Sequence, residues 1–148
     1  MRYSLSDYIL AIANLPAKLG LENNTISVGG TESYLNSVSA ENTTNMWSTE
    51  GDATGSWVHN KSLDRTGTVT IDINQMSPQI ANLVQILNAF YDSESDNATG
   101  MKLVLQDRNM KNVFEANDCY IQKIPSQAFG QTAATQSWVI TCGQLTFK

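Results

Sequence analysis

Hydrophobic and polar positions alternate most regularly between Arg65 and Asn74. Val69, Ile71 and Ile73 fall on one side of this segment, and three threonines and an aspartate fall on the other. A period of two residues, with β-branched side chains on both sides, is typical of a half-buried strand. The pattern therefore predicts a strand with an aliphatic face toward a core and a polar face formed by Thr66, Thr68, Thr70 and Asp72.

The period becomes helical directly after this strand. Ser77 and Pro78 are typical of a helix start, because a serine hydroxyl accepts hydrogen bonds from free N–H groups and a proline has no N–H to leave unpaired. A strand that leads into one amphipathic helix must cover the apolar face of that helix with a sheet. We therefore expect this unit at the core, with an apolar helix face formed by Ile80, Leu83, Val84, Leu87, Phe90 and Tyr91.

Shorter alternating segments predict further strands. These lie at 25–28, 33–40, 101–106, 113–124 and 136–147, and residues 8–15 fit either a strand or a short helix. We expect a bulge near Asn117 and Asp118, and one face of the last strand carries Trp138, Ile140 and Cys142. About seven strands and one helix predict a β-rich α+β class, in a single domain over 1–148 without an internal repeat.

Residues 41–64 do not fit this alternation. Turn residues dominate the segment, which is long for a polar loop in a small domain and is therefore either functional or disordered. Two tryptophans argue against disorder. We predict a long protruding loop or hairpin in which Trp47 and Trp57 anchor on another subunit. The alternative is that both rings fold back over the core of their own domain.

The first 20 residues mix aromatic and aliphatic side chains without a clean period. A terminus is poorly ordered unless something holds it, so apolar leading segments often dock on a neighbour. We therefore expect residues 1–20 to form an N-terminal docking arm, with contacts made by Tyr3, Leu5, Tyr8 and Ile9.

Composition limits the possible partners. The chain has 148 residues and a net charge of −5, so it lacks the excess of Lys and Arg that a grip on nucleic acid requires. It contains no apolar run of the length that crosses a membrane, so no membrane span is expected. We also find no pattern of a signal peptide at its start.

Candidate catalytic and metal-binding residues are few. His59 is the one histidine and lies in a Gly/Ser/Asn-rich segment, where a surface or contact role is the usual one. Asp92, Glu94 and Asp96 resemble the start of a calcium loop, but that loop's glycine and its last glutamate are replaced by Asn97 and Leu103. No nucleophile, zinc or phosphate-binding motif is present. We expect no enzyme activity, no metal and no cofactor.

The two cysteines lack the spacing of a metal site. Cys119 and Cys142 fit two buried thiols in strands. They also fit a cross-strand pair, because they lie opposite one another if their strands form a hairpin centred near Gly130 and Gln131.

Two segments resemble the tail tube proteins of contractile-tailed phages and of R-type bacteriocins. They are LDRTGTVTIDINQMSPQIANLV (Leu63–Val84) and CYIQKIPSQAFGQTAATQSWVITCG (Cys119–Gly143). The shared order is R-x-G-x-[VI]-x-[IL], a glutamine, Ser-Pro with a helix, Ile-x-Lys-x-Pro, Phe-Gly and a last strand with a tryptophan. The match covers roughly residues 55–148, with a looser fit over Thr25–Gly30, and Asn45–His59 resembles the Gram-positive branch.

The resemblance implies a fold and an assembly. The fold is a β-sandwich or barrel with one flanking helix, and six copies form rings that stack into a tube with a continuous barrel around the lumen. The polar strand residues Thr66, Thr68, Thr70 and Asp72 are then candidates for the lumen face. The implied partners are further copies, the tail sheath, the baseplate and tail terminator proteins, with DNA only as passing cargo. The implied location is a virion tail or bacteriocin particle, assembled in the host cytoplasm.

A second interpretation is a monomeric β-sandwich that binds a carbohydrate or another small ligand. Trp47, Trp57 and Trp138 would then be stacking platforms. The two interpretations differ in assembly, since a binding module stays monomeric at high concentration whereas a tube subunit forms rings or fibres.

Overall fold

The structure, a computed structural model, describes residues 2–16, 19–30, 34–92 and 100–148. These residues contain one α-helix, α1, at Gln79–Asp92, and two 3₁₀ turns, at Leu5–Asp7 and Glu22–Asn24. They contain nine strands: β1 Ile9–Ala13, β2 Ile26–Gly29, β3 Leu35–Asn42, β4 Trp47–Gly51, β5 Trp57–Lys61, β6 Gly67–Asn74, β7 Met101–Gln106, β8 Asn112–Ile121 and β9 Thr135–Phe147. The expected β-rich α+β class is confirmed.

Seven of these strands form one curled antiparallel sheet in the order β2-β1-β7-β8-β9-β6-β3, which resembles half a barrel. The strands β4 and β5 form a separate two-stranded sheet. The curl places the aliphatic sides of the strands in one core, where Trp138 and Leu103 are fully buried. The opposite side of the sheet remains polar along β3, β6 and β9.

The alternation on β6 is confirmed. Val69, Ile71 and Ile73 are fully buried, and the intervening residues are half-buried. Gly67 begins the strand at a point of close approach, where a Cβ would lie 2.5 Å from Leu145 Cδ2 and 2.8 Å from the carbonyl oxygen of Glu41. The glycine of the R-x-G-x-V pattern is thus required by packing, since no side chain fits between the neighbouring strands.

The helix begins as predicted, with Ser77 Oγ accepting a hydrogen bond from the Gln79 N–H at 3.2 Å. Of the expected apolar face, Leu83 is buried and Ile80, Val84, Leu87 and Phe90 pack partly buried against the core. Two expectations are corrected: Tyr91 is 86% exposed, and Ile86, which the pattern did not single out, is buried. Successive residues point about 100° apart on a helix, so the turn that seats Ile86 and Phe90 directs Tyr91 away from the core.

Part of the N-terminal segment belongs to the sheet, as the strand alternative for residues 8–15 predicted. Residues 9–13 form β1, which pairs with β2 on one side and β7 on the other. Leu10 and Ile12 are fully buried and Leu15 nearly so. Within 1–20, the described residues that lie outside the strands are therefore 2–8, 14–16 and 19–20, and docking by this segment stays a prediction.

The strands β8 and β9 confirm two local predictions. The pairing of β7 with β8 shifts register between Met101↔Cys119 and Leu103↔Ala116, which places a bulge at the expected Asn117 and Asp118. Cys119 lies directly opposite Cys142 in the β8–β9 register, as the expected hairpin requires. Both cysteines are buried free thiols.

Leu83→Asp tests the core. The substitution places an unpaired carboxylate at a site that is 1% exposed, which costs on the order of 4 kcal/mol and is a large share of the stability of a small domain. We expect loss of soluble protein and of the cooperative thermal transition seen by circular dichroism. Gln85→Asp, on the exposed side of the same helix, is the matched control and should fold. A folded Leu83→Asp monomer contradicts the packing of α1.

Candidate assembly surfaces

The hairpin β4–β5 continues the β3–β6 pair beyond the sheet. Thr43 N–H donates to the carbonyl of Thr66 at 3.0 Å, one step past the last paired residues, and Ser62 N–H then donates to the carbonyl of Met46 at 2.8 Å. The register of β4 with β5 follows, from Trp47↔Lys61 to Gly51↔Trp57. These nested pairings make residues 35–73 one long ribbon. Its inner part, β3 and β6, belongs to the seven-stranded sheet, and its outer part, β4 and β5, projects away from that sheet.

Two aspartates order the ribbon where turn residues dominate. At its base, Asp64 Oδ1 accepts from the backbone N–H of Thr66 at 2.9 Å and from its hydroxyl at 2.8 Å, and Asp64 Oδ2 accepts from Thr44 Oγ1 at 3.2 Å. At its tip, Asp52 Oδ1 accepts from the N–H and hydroxyl of Thr54. The pKa of Asp64 is lowered from its ordinary value by the Thr66 bonds, and that of Asp52 chiefly by the Thr54 hydroxyl.

The two tryptophans of the hairpin are exposed to solvent. Trp47 is 61% and Trp57 67% exposed, and every residue of β4 and β5 is exposed. The rings therefore do not fold back over their own core. Because Trp57 lies opposite Gly51, which shares its side of β4 with Trp47, both rings project from one face of the ribbon. His59, on the same face, shares a hydrogen bond of 2.9 Å with Thr49 Oγ1, so it supports the hairpin.

The expected N-terminal contact residues divide into two groups. Tyr3 is 79% exposed and its ring lies 5.9 Å from that of Tyr8, which is half-buried like Leu5. Ile9 belongs to β1 and is 41% exposed. The segment is held to the β7–β8 turn by Asp7, whose Oδ1 accepts two hydrogen bonds from the Arg108 guanidinium at 2.8 and 3.3 Å.

The expected polar face is built by three strands. Asp72 accepts hydrogen bonds from Ser37 Oγ on β3 at 2.8 Å and from Ser137 Oγ on β9 at 2.5 Å. Thr68 and Thr70 continue this face along β6. Thr66 lies just before the strand, and its N–H and hydroxyl are used by Asp64. The structure therefore brings three of the four predicted residues together and assigns the fourth to the base of the hairpin.

Sequence reasoning missed several surface features. Ser37 and Ser137 could not be placed beside Asp72 without the strand order. Phe129, in the connection between β8 and β9, is 85% exposed, and Met76 is 68% exposed. The only available signal was an apolar residue within a polar or small-residue connection. A further apolar groove of about 330 Å³ lies between α1 and β8, lined by Ile86, Leu87, Phe90, Tyr91, Tyr120 and Ile121.

The described residues hold little that could perform chemistry. A hydrogen bond with Cys142 and burial raise the pKa of the Cys119 thiol. No group of three His, Cys, Asp or Glu side chains in the described segments could hold a metal. The residues considered for calcium fall mostly in 93–99, outside the described residues. None of the described helices is long and apolar enough to cross a membrane.

One of the three tryptophans considered for ligand binding is not accessible to a ligand. Trp138 is fully buried and its indole N–H donates to Gln136 Oε1 at 3.3 Å. A ring in the core cannot stack on a carbohydrate, so the three tryptophans do not form one binding face.

The fold is similar to that of chains from contractile injection systems. A chain of the sheath–tube complex of the extracellular contractile injection system PVC, in its extended state, superposes with a TM-score of 0.54 and 9% identity over 99% of this chain and 91% of that one. A chain of the PVC sheath and tube terminator gives 0.59 and 9%, over 100% and 97%. A chain of the anti-feeding prophage cap, which terminates the AFP tube, gives 0.53 and 10%, over 100% and 93%.

The sequence assigns the family. Residues 19–148 match the family model of the bacteriophage PhiTE tail tube protein, and the chain belongs to this family. It is a structural protein of a tail tube, and the resemblance seen in its motifs is confirmed. No curated protein matches its sequence.

The pH dependence of the hairpin base follows from Asp64. The pKa of Asp64 is lower in the folded protein than in the unfolded chain, where it is near the ordinary 3.8. The ionised carboxylate therefore stabilises the folded form fully when the pH is above 3.8. This stabilisation is lost as the pH falls through the folded-state pKa. We expect the amide proton resonance of Thr66 to titrate below pH 3.8, followed by NMR. In Asp64→Asn this titration should vanish. A midpoint above 3.8 in the unsubstituted protein contradicts the hydrogen bonds at this site.

Proposed function

We propose that this chain polymerises as stacked rings of six copies into the inner tube of a contractile tail or an R-type bacteriocin. The family match over residues 19–148 carries the proposal. The tube is a rigid hollow conduit that a contracting sheath drives through an envelope, and the subunit itself performs no catalysis. The subunit uses no cofactor, because its function is carried by contacts between copies.

Ring closure is supported by the form of the sheet. Its outer strands, β2 and β3, each pair on one side only within the described chain. Unpaired strand edges invite pairing with another chain, and closure into a barrel removes them. The strand β3 carries the outer edge of the polar face, so pairing through β3 extends that face from copy to copy.

The lumen is assigned to the face around Thr68, Thr70 and Asp72. Its neighbouring side chains on β3 include Ser39 and Glu41, opposite Thr70 and Thr68 in the register. Hydroxyls and carboxylates suit a water-filled channel, whereas the core side of the same strands is aliphatic. Six copies of a chain of charge −5 give −30 (6 × −5) per ring. With Glu41 and Asp72 on the proposed lumen face, the channel would repel passing DNA phosphates.

The partners follow from assembly. The similar chains come from a sheath–tube complex, a sheath and tube terminator and a tube-terminating cap. They support a surrounding sheath and a terminator as partners here. A baseplate at the other end of the tube is a further proposed partner. The subunit is assembled in the host cytoplasm and resides in the virion tail or bacteriocin particle. Its contacts between copies are made by Trp47 and Trp57 and by the N-terminal residues Tyr3, Leu5, Tyr8 and Ile9.

Negative-stain electron microscopy of the concentrated protein tests the proposal. We expect hollow rings or tubes. Trp57→Ala should prevent them while the circular dichroism spectrum and melting transition stay unchanged, because the ring is exposed in the monomer and its truncation at an interface costs about 2 kcal/mol or more. Uniform monomers at all concentrations, together with binding to a glycan array, would favour the ligand-binding alternative.

Labelling tests the lumen assignment. Thr68→Cys, coupled to maleimide gold particles small enough to enter the lumen before assembly, should place the gold on the tube axis in micrographs. The unsubstituted protein is the control for background, since Cys119 and Cys142 are buried. Gold on the outer wall of the tube would contradict the assignment of this face.

A further inference from the structure

Cys119 and Cys142 face each other in the middle of the sheet. Their strands, β8 and β9, are the fourth and fifth of its seven strands, and the two residues are directly opposite in the register. Cys119 is 0% exposed and Cys142 is 4% exposed. The same row continues to Met101 on β7 and to Gly67 on β6. The contacts proposed for the tube use neither thiol.

An irregularity in both strands directs the two cysteine side chains into the core. Side chains three positions apart on a regular strand lie on opposite faces. Ala116 and Cys119 are nevertheless both buried, and so are Cys142 and Leu145. On β8 the change of face coincides with Asp118, whose φ of 56° lies in the left-handed region. Because both strands change face at the same level, both sulfur atoms lie on the core side.

The pair occupies a site of the ladder where cross-strand side chains come close. Gln122 N–H donates to the carbonyl of Val139 at 2.9 Å, so these two residues form a hydrogen-bonded pair. Hydrogen-bonded and non-hydrogen-bonded pairs alternate, and Cys119↔Cys142 lies three steps along the ladder, so it is a non-hydrogen-bonded pair. The Cα atoms of such a pair are about 4.5 Å apart, and disulfides span about 4.4–6.8 Å between Cα atoms. The backbone can therefore carry a disulfide here as it stands.

The two thiols differ in reactivity. The Cys119 S–H donates to Cys142 Sγ, which raises the pKa of Cys119 and lowers the pKa of Cys142. The Cys142 S–H in turn donates to the carbonyl of Ile140 at 3.8 Å. Cys142 is also the more exposed of the two. Thiolate character and exposure both favour reaction with an oxidant, so Cys142 reacts first.

We propose that Cys119 and Cys142 are an oxidation site, which closes to a disulfide when the protein meets hydrogen peroxide outside the reducing cytosol and then joins β8 to β9 covalently. The bond itself needs one chain only. The time of its formation rests on the proposed function, because a particle assembled in a reducing cytosol and then released passes into an oxidising environment.

The reaction consumes one molecule of hydrogen peroxide. The Cys142 thiolate attacks one oxygen atom, an S–O bond forms as the O–O bond breaks, and the departing hydroxide takes up the proton that the thiol has lost. Cys119 Sγ then attacks Cys142 Sγ, so that the S–S bond forms as the S–O bond breaks. The second hydroxide takes up the Cys119 proton. The two sulfur atoms have then given two electrons to the peroxide, and two molecules of water are released.

A zinc site at the two thiols is the rival interpretation. Structural zinc takes four ligands from Cys, His or carboxylate side chains. Across the segments that the structure describes, no group of three such side chains is placed to hold a metal. Two opposed thiols without further ligands of this kind are suited to a covalent bond with each other.

Mass spectrometry of the full chain tests the bond. The reduced protein is treated with hydrogen peroxide and then unfolded in guanidinium chloride with N-ethylmaleimide, which caps free thiols. We expect the loss of two hydrogen atoms without added maleimide, and two added maleimides if dithiothreitol precedes the capping. Cys142→Ala should keep Cys119 open to maleimide, because the partner thiol is missing. Sulfinic acid on either cysteine, a disulfide between two chains, or two free thiols overturns the proposal.

Thermal melting tests whether the bond stabilises the sheet. A disulfide restricts the unfolded chain, so oxidation should raise the melting temperature of the unsubstituted protein by about 5–10 °C, and dithiothreitol should reverse the shift. Cys119→Ala and Cys142→Ala should show no rise with peroxide. The two redox forms of one chain are compared without any variant, so a variant that fails to fold leaves the test intact. A disulfide that does not raise the melting temperature overturns the stabilising role.

Thiol trapping tests the time of formation. Cells that produce the particle, lysed in N-ethylmaleimide, should yield two capped thiols, whereas released particles should yield the disulfide. A disulfide already present in the cells, or free thiols in the particles, overturns the timing. The measurement on the purified chain does not require tubes. Tubes from a chain that never forms the bond therefore contradict this proposal alone, and a bond in a chain that never forms tubes contradicts the proposed function alone.

Discussion

One sheet with one helix can bury only one of its faces, and this constraint shapes the whole chain. The core is closed by the curl of the seven-stranded sheet on itself, with α1 covering part of the opening. The aliphatic residues of β6 are consequently fully buried, and its polar residues are left on the other side. A chain built this way leaves a polar sheet face and two strand edges uncovered, and the proposed closed ring would cover both edges and line its channel with the polar face.

Local patterns determined what the sequence could reveal of the fold. The strand β6 and the start of α1 were predictable because their signals, strict alternation and a capping serine before a proline, act within a few residues. The face of α1 was less predictable. The pattern of apolar positions favoured Tyr91 and did not single out Ile86, and only the packing of the helix on the sheet decides that Ile86 is buried while Tyr91 is exposed. Likewise β1 was ambiguous until its partners β2 and β7 were known.

The sequence predicted which residue types form the candidate surfaces, but not the hydrogen bonds that arrange them. Tryptophans in a polar segment predict contact residues; the rings are exposed in the single chain, and their contacts with another subunit stay a prediction. The sequence left a loop and a hairpin as alternatives for this segment. That it forms a ribbon held by Asp64 and Asp52, through threonine hydroxyls and amides, depends on pairings that no short pattern encodes. The same holds for the Asp72 bonds to Ser37 and Ser137, which join residues far apart in sequence.

The continuity of the ribbon has a mechanical consequence. The hairpin is a prolongation of β3 and β6, and β6 is paired along its full length with β9. A thrust or pull on the hairpin along its length therefore loads the hydrogen bonds of both ladders in shear, many at once, since these bonds lie across the strands. Such a subunit resists a force along the hairpin strongly, because many hydrogen bonds must break together. A force that peels the hairpin sideways breaks its hydrogen bonds one pair at a time and meets less resistance.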